Sequence, residues 1–282
     1  MSSSRPNSRR ALKRPRARGA ARNGALFEQP RIYDVAFGFR DVVEQCDGLL
    51  ALARRYGARP PKSVVELCCG QAHHLREFAE RGLRAYGVDA NREMLAYARS
   101  LCKRDHVNVG FVRADIRLFR LPERVDLAYC LFDSFCHCTT DDDAVAALRA
   151  TGDALHRGGV LILELTHPGD FFSGVRSRSS SRWTRRLPDV TVTTRFVHTR
   201  VDPVAETFAP SITIDARFRD GRPPVHIVDR LDYRIWLPGN LKHVAAASGC
   251  FDIVGWHGDL NPDVPLSMRD EAWQMVVVLR RR

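Results

Sequence analysis

Asp89 stands 23 residues after Glu66, and the chain between them has the character of a ligand cradle. The apolar run Val64 to Leu67 leads into the small-residue turn Cys68-Cys69-Gly70-Gln71-Ala72 and then into His73-His74, which opens a helical segment. Small residues at the C-terminal end of a strand let a ligand approach main-chain amides beside a helix N-terminus. A carboxylate at the end of the following strand, Tyr86-Gly87-Val88-Asp89, sits at the spacing where it accepts hydrogen bonds from ribose hydroxyls. Each such charge-assisted bond contributes about 1.5–3 kcal/mol. The chemistry indicated is the holding of a nucleoside.

A second set of residues could serve acid–base chemistry or acceptor contact. Asp133 and His137 follow the fourth apolar run, with Phe132 beside them, and His167 follows the fifth. His257 and Asp259 lie in a Gly-containing loop before the last. Positions after successive parallel strands converge on one edge of a sheet, where α/β proteins bind ligands. For each histidine the alternative is a loop residue bonded to main chain. Cys136-His137-Cys138 does not make a zinc site, because neighbours on a strand or loop point apart and no second ligand pair has suitable spacing. No metal is expected. The eight cysteines include no CxxC pair and read as reduced, small apolar residues.

The elements that must position these groups follow from hydrophobic periodicity. Tyr33 to Tyr56 reads as one helix, ending before Gly57 and the Pro60-Pro61 breaker. Strand-like runs are expected at Ser63–Leu67, Arg84–Val88, Val107–Val112, Val125–Leu131 and Val160–Leu165, with helices at His74–Arg81, Arg92–Lys103 and Asp141–His156. Such alternation implies right-handed βαβ units and a parallel sheet. The period then changes to two over Thr191–Val201, Thr207–Arg219 and Val225–Trp236, which predicts an antiparallel meander. A helix at Gly239–Ser248 and strands at Phe251–Trp256 and Ala272–Leu279 complete the pattern. The expected organisation is a basic, disordered tail over 1–25, a main domain over 26–174 and 236–282, and an inserted antiparallel β subdomain over 175–235 covering the site.

The stretch VVELCCGQAHHLREFAERGLRAYGVDANREMLAYAR resembles the first two motifs of class I S-adenosylmethionine-dependent methyltransferases, and the likeness extends over roughly residues 30–282. Glu66 falls on the acidic residue of the family's D/E-x-G-x-G-x-G loop, with Cys68 at its first glycine, Gly70 at its second and Ala72 at its third. The resemblance implies a Rossmann-like α/β fold with a mostly parallel seven-stranded sheet, helices on both faces and a small antiparallel insertion. It also implies S-adenosylmethionine as cofactor. Ala114-Asp115-Ile116 resembles the element that contacts adenine, Val125–Leu131 with Phe132-Asp133-Ser134 the motif at the methyl-transfer site, and His156–Leu161 the turn before the fifth strand. Tyr33 to Arg40 looks like the N-terminal lid of small-molecule N-methyltransferases, in which Tyr33 and Arg40 would face the cofactor's methionine end; the alternative is two ordinary helix-flanking residues. The cofactor residues so implied are Tyr33, Arg40, Glu66, Cys68, Gly70, Ala72, His74, Asp89, Ala90, Met94, Asp115, Ile116 and Leu131. Asp133 and His137 are the catalytic candidates, and Phe132, His167, His257 and Asp259 the substrate ones. A nicotinamide enzyme would want G-x-G-x-x-G in the first turn, which Cys68, Gly70 and Gln71 do not supply.

Methyl transfer to nitrogen or oxygen of a small molecule is the function expected, with an RNA methyltransferase as the alternative. Net charge +11 first suggests a polyanionic partner. Eight basic residues, however, precede residue 25, and five more, Arg176, Arg178, Arg182, Arg185 and Arg186, lie in a second patch read as a loop, so the rest of the chain is close to neutral. The segment after the fourth strand, Phe132-Asp133-Ser134-Phe135, also lacks the Asn/Asp-Pro-Pro-aromatic motif of enzymes that methylate base amino groups. Nucleic-acid binding through the tail is therefore permitted but not favoured. No apolar run approaches the ~20 residues of a membrane span, and a cytoplasmic location is expected.

Overall fold

The computed structural model describes residues 25–172, 180–197 and 201–282. Its first departure from the sequence reading is at the N-terminus, where two helices, α1 (Pro30–Phe37) and α2 (Val42–Tyr56), replace the single expected one. The reason is local. Gly38 closes α1, and the Asp41 side chain accepts the Glu44 N–H at 3.0 Å, which caps a new helix.

The chain then alternates as expected: β1 (Ser63–Leu67), α3 (His73–Glu80), β2 (Arg84–Asp89), α4 (Arg92–Arg104), β3 (Val109–Arg113), β4 (Val125–Cys130), a 3-10 turn at Ser134–His137, α5 (Asp141–Ala154) and β5 (Leu155–Thr166). His156–Leu161 is not a separate turn but part of β5. Gly158, at φ +73°, accommodates a register irregularity there. Short α6 (Gly169–Phe172) follows, then β6 (Ser180–Arg186), β7 (Val190–Val197), β8 (Val201–Asp202), β9 (Thr207–Phe208), β10 (Ser211–Phe218), β11 (Val225–Arg230) and β12 (Tyr233–Arg234). α7 (Pro238–Ser248), β13 (Phe251–His257) and β14 (Gln274–Arg281) end the chain.

The main sheet has seven strands in the order β13-β14-β5-β4-β1-β2-β3. β3, β2, β1, β4 and β5 pair in parallel, and β14 runs antiparallel to both its neighbours. This is the mostly parallel seven-stranded α/β sheet expected. Strand order reverses between β1 and β4, which opens a crevice at their C-terminal ends. Both faces are covered, as the strands show residue by residue. Val64, Leu127, Ile162 and Val276 pack with α2, α3 and α4, while their neighbours Val65, Ala128, Leu163 and Val277 pack with α5 and α7. Period-two alternation in a strand buried on both sides places apolar residues at every position, so β1 and β4 are buried throughout.

β11, β10, β7 and β6 form a second, antiparallel sheet, and β12, β9 and β8 a third. β6 is missing from the sequence reading. Arg182, Arg185 and Arg186 belong to this strand and not to a loop, paired with Arg195, Val192 and Thr191 of β7. Its solvated arginines mask the period-two signal. Arg176 and Arg178 lie outside the described residues, as does the tail up to residue 24. The second sheet grips α1: Trp183 Nε1 donates to the Ala36 carbonyl at 2.7 Å, and Arg185 Nη2 to the Gly38 carbonyl at 3.1 Å. Leu26 is already core, with its N–H on Asp229 Oδ2 at 2.9 Å. Among the described residues no helix is long and apolar enough to cross a membrane.

Candidate active site

The loop after β1 takes a left-handed backbone at alternate positions: Cys68 (φ +56°), Gly70 (φ +49°) and Ala72 (φ +58°). These are the three positions where the resemblance places glycine. A left-handed φ costs an L-residue roughly 1–2 kcal/mol, so the glycines of the motif answer a backbone requirement that Cys68 and Ala72 meet under strain. Cys68→Gly is expected to stabilise the protein by up to about 1 kcal/mol, measured by urea denaturation; a loss of stability would show that the cysteine's packing outweighs the strain. At Gly70 an added Cβ would meet no protein atom within 4 Å, because the position faces open space.

That space is a cleft of about 490 Å³ above the sheet's reversal point. Asp89, at the end of β2, lies on its wall. Its Oδ2 accepts the Gly70 N–H at 2.9 Å and its Oδ1 the Asn91 N–H at 2.7 Å. Burial raises the carboxyl's pKa, and those two amides partly offset the rise. Two main-chain donors leave acceptor capacity on both oxygens. Glu66 is buried between the Tyr129 hydroxyl (3.4 Å to Oε2) and His74 Nδ1 (3.5 Å to Oε1), and His74 Nε2 contacts Gln45 Oε1 at 2.9 Å.

Of the thirteen expected cofactor residues, Ala72 alone is absent from this cleft; it caps α3, fully buried. Asp115 lies on the wall, but Arg117 holds its carboxylate at 2.9 and 2.6 Å and keeps its pKa low. Ala114, of the adenine-contacting element, lines the cleft too, and so do Gln71, His73, Asn91 and Arg117, which are not among the cofactor residues expected from sequence. Asn91 carried a usable signal: it is the N-cap of α4, two residues past Asp89.

A larger cavity of about 930 Å³ adjoins the cleft, and the two share Phe27, Tyr33, Phe37, Arg40 and Phe132. Arg40 lies in this common wall. Its Nη1 contacts both oxygens of Glu164 at 2.6 and 3.0 Å, and its guanidinium stacks 3.5 Å from the centre of the Phe132 ring. Glu164, on β5 and 1% exposed, also accepts from Gln274 Nε2 and from the Phe132 N–H at 3.4 Å. Tyr33 on α1 is half-buried, and the protein packed around its hydroxyl raises that group's pKa. α1 is also tied down from below: Asp34 Oδ1 contacts His73 Nε2 at 2.5 Å, and Asp34 Oδ2 accepts from Tyr97 at 2.8 Å. Burial works to raise the Asp34 pKa, but His73, Tyr97 and Arg76 outweigh it and the carboxyl stays low.

Phe132 and Asp133 are consecutive non-glycine residues at φ +57°, a strained corner costing of order 1–3 kcal/mol per residue. The corner turns Asp133 into the larger cavity. Thr166 donates to its two oxygens, from N–H at 2.5 Å and from Oγ1 at 2.7 Å. Burial is the main cause that pushes the Asp133 pKa up to about 6, against the Thr166 donors. His137 lines the smaller cleft. Solvent reaches its ring, yet the surrounding protein, with Tyr233 at 4.8 Å and Phe27 at 6.5 Å between ring centres, favours neutral imidazole and lowers its pKa. Asp259 lines the larger cavity, accepting from Trp273 Nε1 at 2.6 Å.

The other two histidines lie outside both cavities. His167 is buried, with Nε2 on the Ser267 carbonyl at 3.0 Å and Nδ1 accepting the Gly169 N–H at 3.1 Å, so both ring nitrogens serve the loop. His257 is buried against Tyr56, whose hydroxyl contacts Nε2 at 2.9 Å. Sequence order puts them near strand ends but not which way their rings turn. All eight cysteines are free thiols, and among the described residues no three His, Cys, Asp or Glu side chains gather as a metal-ligand set.

Residues 64–159, from β1 to the start of β5, match the Methyltransferase domain family. A dTDP-3-amino-3,6-dideoxy-alpha-D-glucopyranose N,N-dimethyltransferase of Streptomyces fradiae is 28% identical over 125 residues, 44% of this chain and 47% of that protein. The chain thus matches about half the length of the curated relatives. Among solved structures, a sugar N-methyltransferase from Streptoalloteichus superposes with a TM-score of 0.71 at 21% identity, over 98% of this chain and 100% of the other. An S-adenosylmethionine-bound amino pentose methyltransferase from Micromonospora echinaspora gives a TM-score of 0.64 at 22% identity, covering 89% and 97%. At these identities the superpositions carry the fold, and the sequence match carries the domain. Together they show a match to the Methyltransferase domain over residues 64–159, in a chain whose overall fold is that of solved methyltransferases.

Proposed function

We propose that this protein is an S-adenosylmethionine-dependent methyltransferase that alkylates a nitrogen of a small molecule. The observation that carries this reading is the pair of joined cavities: a nucleoside-sized cleft at the sheet's reversal point, opening past Tyr33, Arg40 and Phe132 into a larger acceptor space. The donor set fits the cofactor. Asp89 keeps acceptor capacity for ribose hydroxyls, Gly70 leaves room at the loop, and Met94, Ile116 and Leu131 supply apolar wall. Arg40 spends Nη1 on Glu164 and has further donors for a carboxylate at the cavity junction.

When bound, the cofactor supplies a sulfonium-activated methyl group open to in-line displacement. The protein's task is then largely positional, worth roughly 7–11 kcal/mol in favourable cases. The described residues of the insertion, 180–197 and 201–235, serve as a cover: their second sheet holds α1, and with it Tyr33, over the junction and excludes water. Asp133, ionised above its raised pKa, draws the acceptor's ammonium and takes its proton; neutral His137 is a second proton acceptor facing the cleft.

The test is product detection by mass spectrometry with purified protein, S-adenosylmethionine and a library of small amines. One-methyl mass gains are expected, and none across the library would overturn the reading. With any substrate found, kcat should fall below about pH 6 as Asp133 protonates, and Asp133→Asn should lower kcat by about 10²-fold and remove that acid limb. The same group has the opposite bearing on stability. Its native pKa is raised above the ordinary carboxyl value of 3.8, so its favourable contribution is complete below about pH 4 and is lost as pH rises through about 6.

A further inference from the structure

The larger cavity has a charge that the rest of the molecule lacks. Among the described residues lining it, seven are carboxylates, Asp41, Glu44, Asp47, Asp133, Glu164, Asp170 and Asp259, and Arg40 is the single guanidinium. Arg40 is itself neutralised by Glu164. Asp47 pairs with Arg81 at 2.5 Å, whereas Asp133 and Asp259 are held by the neutral donors of Thr166, Asn261 and Trp273, which leave their negative charge standing. Outside the N-terminal segment and the arginine patch the chain is close to neutral, so the excess of carboxylates is local to this wall. Eight aromatic side chains line the same space. Two of them, Phe39 at 53% and Trp273 at 54% exposure, are large apolar surfaces left open to solvent, and such surfaces mark ligand grooves. Aromatic faces and carboxylates attract the same kind of ligand, a cation on an apolar body.

We propose that this cavity selects an acceptor whose nitrogen arrives as an ammonium on an apolar, phosphate-free body, and that it rejects nucleotide diphosphate sugars, the substrate class in the Streptomyces fradiae relative's name. The inference rests on the methyltransferase reading above. A diphosphate would bring two or more negative charges into a wall of carboxylates, whereas an ammonium is drawn in. The acceptor's N–H bond then breaks, its proton passing to Asp133; the freed nitrogen lone pair forms the bond to the methyl carbon, whose bond to sulfur breaks with the electron pair left on sulfur.

The experiment is calorimetry on the full chain saturated with S-adenosylhomocysteine. The probes are phenethylamine, 4-phenylbutylamine and tryptamine, the alcohol corresponding to each, and thymidine diphosphate. At least one amine should bind about tenfold or more tighter than its alcohol, equivalent to about 1.4 kcal/mol. The margin should shrink between 50 mM and 500 mM salt as the carboxylate field is screened. Glu44→Gln, an exposed change at the cavity wall, should weaken the amine about threefold and leave the alcohol unchanged. Thymidine diphosphate should give no heat above dilution. The proposal falls if no amine outbinds its alcohol or if thymidine diphosphate binds as well as any amine. The underlying reading falls separately, if S-adenosylhomocysteine itself fails to bind.

Discussion

Asp89→Ala is expected to weaken S-adenosylhomocysteine binding by at least about a hundredfold, because two charge-assisted bonds of about 1.5–3 kcal/mol each disappear together. The loss has a second source. Asp89 Oδ2 holds the Gly70 N–H and Oδ1 the Asn91 N–H, so the carboxylate also ties the β1 loop to the start of α4. Truncation releases both amides and lets the loop, with left-handed residues at 68 and 72, relax away from its strained course. Asp89→Asn separates the two effects, since its amide oxygen can keep one of the main-chain contacts while the charge is lost; an intermediate affinity is expected. Titration calorimetry on wild type and both variants decides the matter, with melting curves to show that each is folded. Equal affinities in all three would remove Asp89 from the site.

Glu164→Ala is expected to destabilise the protein by about 3–5 kcal/mol, the usual consequence of stranding one partner of a buried ion pair. Glu164 is 1% exposed, and its loss leaves the Arg40 guanidinium, Gln274 Nε2 and the Phe132 N–H without their shared acceptor. At roughly 2–4 °C per kcal/mol for large domains, melting should fall by about 6–20 °C. Replacing both partners by apolar residues, as in Arg40→Met with Glu164→Leu, should recover much of that stability while abolishing function, because Arg40 borders both cavities. A double variant as unstable as Glu164→Ala would show that the pair itself, and not the stranded charge, carries the energy.

Much of this architecture was legible before any coordinates. The strand-helix alternation, the acid 23 residues beyond Glu66 and the period change near residue 190 are one-dimensional signals of sheet order, a nucleoside site and an antiparallel addition. What escaped was directional. Gly38 and Asp41 split a helix through a break only four residues long, too short for periodicity to register. The β6 strand escaped because its arginines and serines carry little apolar alternation. His167 follows β5 as expected and His257, expected in a loop, closes β13, but hydrogen bonds to Ser267 and Tyr56 turn them away from both cavities. The partner of Arg40 could not be read either: Glu164 is 124 residues distant and sits within an otherwise apolar run.

The grip of the second sheet on α1 bears on how such a protein can diversify. Trp183 and Arg185 take hold of main-chain carbonyls at Ala36 and Gly38. Carbonyls are present whatever residue occupies the position, so the attachment tolerates change in the α1 side chains that its own roof overlies. The Asp89 loop shares none of these bonds, and its own main-chain contacts to Gly70 and Asn91 are made without α1. Mutational drift in the α1 side chains can therefore reshape the cavity walls they line without loosening the roof from the helix.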